Sequence, residues 1–149
     1  MKYVSKFLIL SCFLYLLIIV KLQKDTKDED LVKKFNIKHI KDGDGKTFPE
    51  MGNLITLHYI GTYASTGKEF DNSRKRDPYA FIMGQGSVIA CWEQVIRNMS
   101  KKERIQITCP YNLAYGVDGA GEYVPPKTDL NFDIEILEIT NMSSQHSEL

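Results

Sequence analysis

The sequence predicts an α+β domain, a twisted antiparallel β-sheet wrapped around one short α-helix. Three observations predict it. Between residues 35 and 140 the dominant hydrophobic period is two, the period of half-buried strands. A single segment breaks that rhythm with an apolar stripe at helical spacing. Clusters of turn-forming residues, Asp42-Gly43-Asp44-Gly45, Ser65-Thr66-Gly67 and Gly84-Gln85-Gly86, punctuate the chain between them.

The elements follow in order. Phe35, Ile37 and His39 alternate with Asn36 and Lys38, which predicts a first short strand ending near Ile40. Ile55, Leu57, Tyr59 and Gly61 fall on one face of a second strand, with Thr56, His58 and Ile60 on the other. His58, a lone histidine on a strand, reads as structural. Trp92, Val95, Ile96 and Met99 stand at i, i+3, i+4 and i+7, with Glu93, Gln94, Arg97 and Asn98 on the opposite side, so the helix belongs there. Glu103 to Cys109 alternates with Ile105 and Ile107 inward. Leu130, Phe132, Ile134 and Ile136 repeat the pattern, with Asn131, Asp133 and Glu135 outward. Period-two strands with one helix packed on the sheet make the class α+β.

A chain of 149 residues fits one domain with tails. Residues 1–21 read as a signal peptide or signal anchor, 22–34 as a charged, solvated linker, 35–140 as the domain and 141–149 as a polar tail. The apolar run from Phe7 to Val20 has 14 residues behind a start carrying Lys2 and Lys6. A secretory leader uses about 7–15 apolar residues and a spanning helix about 20, so length favours the leader. Lys21-Leu22-Gln23-Lys24 lacks a small-x-small cleavage pattern, which keeps an uncleaved anchor, and membrane attachment with it, as the alternative. The terminal His146-Ser147-Glu148-Leu149 resembles the Lys/His-Asp-Glu-Leu retrieval signal, with Ser147 where an acidic residue usually stands. Together the two ends predict the secretory pathway and the lumen of the endoplasmic reticulum. Asn98-Met99-Ser100 and Asn141-Met142-Ser143 are acceptor triplets for glycans there.

Nineteen basic residues balance nineteen acidic ones, so no net field argues for nucleic acid as a partner. With no Cys-x-x-Cys and no Cys/His cluster, a zinc or thioredoxin-like reading has no support. Cys12 lies in the leader, leaving Cys91 and Cys109. An oxidising lumen permits a bridge between them. Free cysteine mostly packs as a small hydrophobe, and a packed thiol at Cys91 is the preferred reading over a reactive or bridged one.

Taken singly, Tyr59, Phe81, Trp92 and Phe132 read as core aromatics, Asp71 as a strand-end carboxylate and Arg76 as a solvated charge. Their joint order changes this. Val88-Ile89-Ala90-Cys91-Trp92-Glu93, with Tyr59, Phe70-Asp71, Ala114-Tyr115-Gly116, Pro125-Pro126 and Asn131-Phe132-Asp133, resembles the ligand pocket of the FKBP family. These are small peptidyl-prolyl cis-trans isomerases that also bind macrolides such as tacrolimus. The resemblance runs from Phe35 to Ile139.

It implies an FKBP-like fold and an enzyme without cofactor, expected to be monomeric, acting on proline-containing polypeptide clients. It places Trp92 at the pocket floor, with Tyr59, Phe81, Val88, Ile89 and Phe132 as walls and Phe70 and Tyr79 at the rim. Tyr115 would offer its hydroxyl, and Ile89 its backbone N–H, to ligand carbonyls. Asp71 would accept a hydrogen bond from Tyr59 with Arg76 in support, and Tyr123 and Val124 would form a flap. Three departures stand out: Ala90-Cys91 replaces a basic residue and Gly, Tyr79 replaces the more frequent Phe, and the flap segment Asp118-Gly119-Ala120-Gly121-Glu122 is unfamiliar and adds flexibility. The chemistry is consistent with an aromatic pocket. The barrier to turning a peptide bond, about 18–20 kcal/mol, comes from lost amide resonance. Lowering it takes desolvation and tighter binding of the twisted form, with no nucleophile. A catalytically weak module that holds peptides or a partner protein in the same pocket is the alternative.

Overall fold

In the computed structural model, residues 14–20 and 29–142 are described. The basic start, the 21–24 segment and the terminal tetrapeptide lie outside them. The chain divides into two units, residues 1–34 and 35–149.

Six strands form one antiparallel sheet: β1 (Lys38–Lys41), β2 (Asn53–Tyr63), β3 (Glu69–Asn72), β4 (Tyr79–Ile82), β5 (Arg104–Cys109) and β6 (Leu130–Asn141). Their spatial order is β1-β5-β6-β2-β3, with β4 also on β2. The alternation expected of β2, β5 and β6 is observed along nearly their whole length. Their inward residues Ile55, Leu57, Ile105, Ile107, Ile134 and Ile136 are all buried, each side chain contributing on the order of 1.5–3 kcal/mol. The helix α1 (Ala90–Ile96) lies against this face through Trp92, whose ring meets Tyr59 of β2 and Phe132 of β6 edge to face. The helix ends at Ile96, and the turn after it delivers the last member of the stripe, Met99, into the core.

β3 and β4 are two pieces of one edge. β3 pairs with Ile60 to Thr62 and β4 with Leu54 to Leu57, and the chain between them leaves the sheet. That excursion opens with a 3-10 turn, Ser73–Lys75, capped by the Asn72 side chain, which accepts from Arg74 N at 2.8 Å. Ser73 is fully buried, and its Oγ accepts from Tyr59 N at 2.8 Å and lies 3.1 Å from His58 Nδ1. The excursion thereby hangs on β2 at Tyr59, and this brings Asp71 and Arg76 to that residue.

Three expectations need correction. The first strand begins at Lys38 rather than Phe35, and all four of its residues are exposed because it is a sheet edge. Phe35 instead ends a helix over residues 29–35 and is fully buried, and Asn36 at φ 47° turns the chain before the strand starts. The second half of the expected linker is therefore helical. Glu29 with Lys33, and Asp30 with Lys34, sit at i, i+4, a spacing that supports a helix. Third, Cys91 and Cys109 form a disulfide, with Cα atoms 5.7 Å apart, in place of a packed thiol. The first turn of α1 and the end of β5 meet there, an approach that local pattern does not encode. Among the described residues no helix is long and apolar enough to cross a membrane.

Candidate active site

A cavity of about 300 Å³ opens between the inward face of the sheet and the start of α1. Its floor is Trp92, 5% exposed, with ring centroids 5.0 Å from Tyr59, 5.2 Å from Phe132 and 6.2 Å from Tyr79, all edge to face. Phe70 meets Phe132 edge on at 5.9 Å and leans on Tyr63 at 5.3 Å. Gly61 makes room for this wall: a Cβ there would stand 2.6 Å from the Phe70 ring. Val88 and Ile89, just before the helix, close the third side.

Polar groups gather at one edge. The Tyr59 hydroxyl donates to Asp71 Oδ2, and Arg76 Nη2 pairs with Asp71 Oδ1 at 2.7 Å while donating to the Tyr59 oxygen at 3.2 Å. Burial, then the hydrogen bond to Asp71, pushes the Tyr59 phenol far above its ordinary value. Burial also pulls the Asp71 carboxyl upward, but donors from Tyr59 and Arg76 outweigh it and hold the group below its usual range. At neutral pH the pair is a neutral phenol on a carboxylate. Tyr115 is raised by burial, then by the charge of Asp71 and by Tyr79. Among the described residues neither the Tyr115 hydroxyl nor the Ile89 N–H has a hydrogen-bond partner. The Ile89 carbonyl accepts the first bonds of α1, from Trp92 N at 3.0 Å and Glu93 N at 3.3 Å.

No group of side chains among the described residues is arranged to hold a metal. A larger depression, about 590 Å³, lies over outward-facing residues of the sheet. Four of its polar side chains satisfy one another, Thr108 with Asn131 at 2.9 Å and Gln106 with Asp133 at 3.1 Å, and it lacks the aromatic walls that make the other cavity the better candidate.

The sequence model of FKBP-type peptidyl-prolyl cis-trans isomerases matches residues 45–137, the segment that builds this cavity. The chain belongs to the FKBP family. Peptidyl-prolyl cis-trans isomerase FKBP1A of Xenopus laevis is 40% identical over 104 residues, 69% of this chain and 95% of that protein. FK506-binding protein 2 of Candida glabrata is 38% identical over 136 residues, 91% of this chain and 96% of that protein. Peptidyl-prolyl cis-trans isomerase Fkbp12 of Drosophila melanogaster is 39% identical over 98 residues, 65% of this chain and 90% of that protein. The protein is a peptidyl-prolyl cis-trans isomerase.

Of the residues that the FKBP resemblance marks, Tyr59, Phe70, Asp71, Tyr79, Val88, Ile89, Trp92, Tyr115 and Phe132 line the cavity. Four do not. Phe81, 4% exposed, stacks behind Tyr79 as packing for the wall. Arg76 stands outside and acts on the site through Asp71 and the Tyr59 hydroxyl. Val124 is buried at 2% exposure and bridges to Ala120, its N–H donating to Ala120 O at 3.2 Å. Tyr123 is 74% exposed, and its carbonyl accepts from the Tyr63 hydroxyl. The 118–122 segment is a tight turn rather than a loose flap. Gly119 holds φ +72°, and a Cβ there would come within 2.2 Å of the Val124 carbonyl.

Gly86 and Ser87 line the cavity and were not expected to. Gly84-Gln85-Gly86 carried only a turn signal. What brings the segment over the pocket is Glu93 of α1, whose carboxylate accepts from Gly84 N at 3.1 Å.

Proposed function

We propose that this FKBP domain accelerates Xaa-Pro rotation by seating the proline ring on Trp92 and taking the imide out of water. The observation that carries this is an aromatic cavity with unused donors at its edge, among them the Tyr115 hydroxyl and the Ile89 N–H. A twisted imide has lost its resonance, and its carbonyl and nitrogen are no longer conjugated. A dry aromatic wall disfavours the strongly hydrated planar amide, and a donor at the rim holds the neighbouring carbonyl through the twist. Tyr59, tied by Asp71 and Arg76, presents a fixed ring face to the substrate. The same pocket chemistry suits a macrolide such as tacrolimus.

Isomerisation of a short prolyl peptide by the full chain, with and without tacrolimus, tests this. Catalysis abolished by the drug is the expected result. Drug binding without catalysis would move the cavity to a peptide-holding role, and the absence of both binding and catalysis would sink the site assignment.

The clients we propose are proline-containing chains folding in the endoplasmic reticulum. The apolar segment at residues 7–20, the terminal His-Ser-Glu-Leu and a buried disulfide support that compartment. Deleting residues 146–149 is expected to release the protein into the medium. Unchanged retention would remove the retrieval reading.

A further inference from the structure

The hydroxyl of Tyr79 has no task in this scheme. Tyr79 and Phe81 lie on the same inward face of β4, opposite Leu57 and Ile55 of β2. Their rings stack at 6.2 Å, but their surroundings differ. Phe81 is sealed in the core, whereas Tyr79 is half-buried and lines the cavity, edge on to Tyr59 at 5.9 Å and to Trp92 at 6.2 Å. Packing on Phe81, Tyr59 and Trp92 fixes the ring. Its hydroxyl has no hydrogen-bond partner among the described residues.

We propose that Tyr79 is a specificity-determining residue, its hydroxyl donating to a backbone carbonyl of the substrate outside the Xaa-Pro unit. This rests on the reading of the cavity as the substrate site. Trp92, at the floor, is nearly inaccessible, while Tyr79 is only half-buried, and in this proposal its phenol meets the chain that leaves the pocket rather than the ring that enters it. A donor fixed by packing has little freedom to lose on binding, which makes the bond worth forming. A carbonyl outside the rotating bond keeps its character in planar and twisted states, so the contact serves both alike and tunes affinity for extended peptides. The Asp71 charge and the Tyr79 phenol both act on Tyr115, in keeping with these groups sharing one small volume.

The test is Tyr79→Phe in the full chain, which keeps the ring stack and removes one oxygen. Two probes are used, a five-residue prolyl peptide and N-acetyl-proline N-methylamide, which lacks carbonyls beyond the imide and the proline itself. Turnover is followed for the peptide. Binding of both is read by the fluorescence of Trp92, the single tryptophan of the chain. KM and Kd for the peptide are expected to rise about 3- to 10-fold with kcat unchanged. The small amide should bind both proteins equally, and the melting temperature should not move. Unchanged peptide affinity overturns the inference, as does an equal loss with the small amide, a fall in kcat alone or a lower melting temperature. If the unaltered chain binds neither probe, the site reading itself fails. Normal binding by the unaltered chain with no effect of the substitution refutes Tyr79 alone.

Discussion

Replacing Cys91 and Cys109 together by alanine is expected to lower the unfolding free energy by about 3 kcal/mol, because the bond closes a loop of 18 residues. For a domain of this size that is a loss of about 13 °C in melting temperature. Both cysteines are fully buried, so alanine also leaves two small voids. The functional consequence follows from what each end carries. Cys91 precedes the pocket floor, Trp92, and Cys109 ends β5 just before Pro110 and the 3-10 turn Tyr111–Leu113 that leads to Tyr115. The bond thus spans from the floor to the root of the loop holding the hydroxyl. Urea unfolding with and without a thiol reductant checks this. A shift in midpoint is expected for the natural chain and none for the double variant. The same midpoint for the natural chain in both conditions would mean that the bond is not closed in solution.

Asp71→Ala is expected to cut kcat/KM by about 10- to 100-fold, since it removes the acceptor that fixes the Tyr59 wall. It also leaves the O–H of a part-buried phenol without an acceptor, a cost of about 1–3 kcal/mol in stability. Arg76 loses its carboxylate at the same stroke and cannot substitute, because it too is a donor. The pH dependence gives an independent sign. Asp71 is held below its ordinary value in the folded state, so its contribution is complete above the free carboxylate value of about 4 and is lost as pH falls through the lower folded value. Activity should therefore stay level from neutral pH to about 5, with any loss from this group confined to more acid solution. The Tyr59 phenol, raised instead, stays neutral across that range. If Asp71→Ala retains full kcat/KM, the Tyr59–Asp71–Arg76 cluster is packing and not part of the catalytic surface.

Where a residue's fate depends on its immediate neighbours in sequence, the pattern was sufficient. The inward faces of β2, β5 and β6 follow from a period of two, and the buried stripe of α1 from a period near 3.6, because backbone geometry alone assigns those sides. The resemblance carried by the order of Tyr59, Asp71, Trp92, Tyr115 and Phe132 along the chain also sufficed to mark residues that line one cavity. Contacts between distant segments were another matter. Alternation could not reveal that Asn36 turns the chain and leaves Phe35 in a helix. Tyr79 and Phe81 share one face of one strand, and only the packing of β4 beside β2 and α1 leaves the first open and seals the second. Val124 reads as flap in sequence and is core in space, held there by a turn that Gly119 permits. Gly86 and Ser87 enter the cavity through a bond to Glu93 on the helix that follows. The disulfide joins positions whose spacing shows nothing of their approach. Local sequence determined which side of each element is apolar. Which apolar sides close on one another, and so where the cavity opens, was decided by long-range packing that no short window contains.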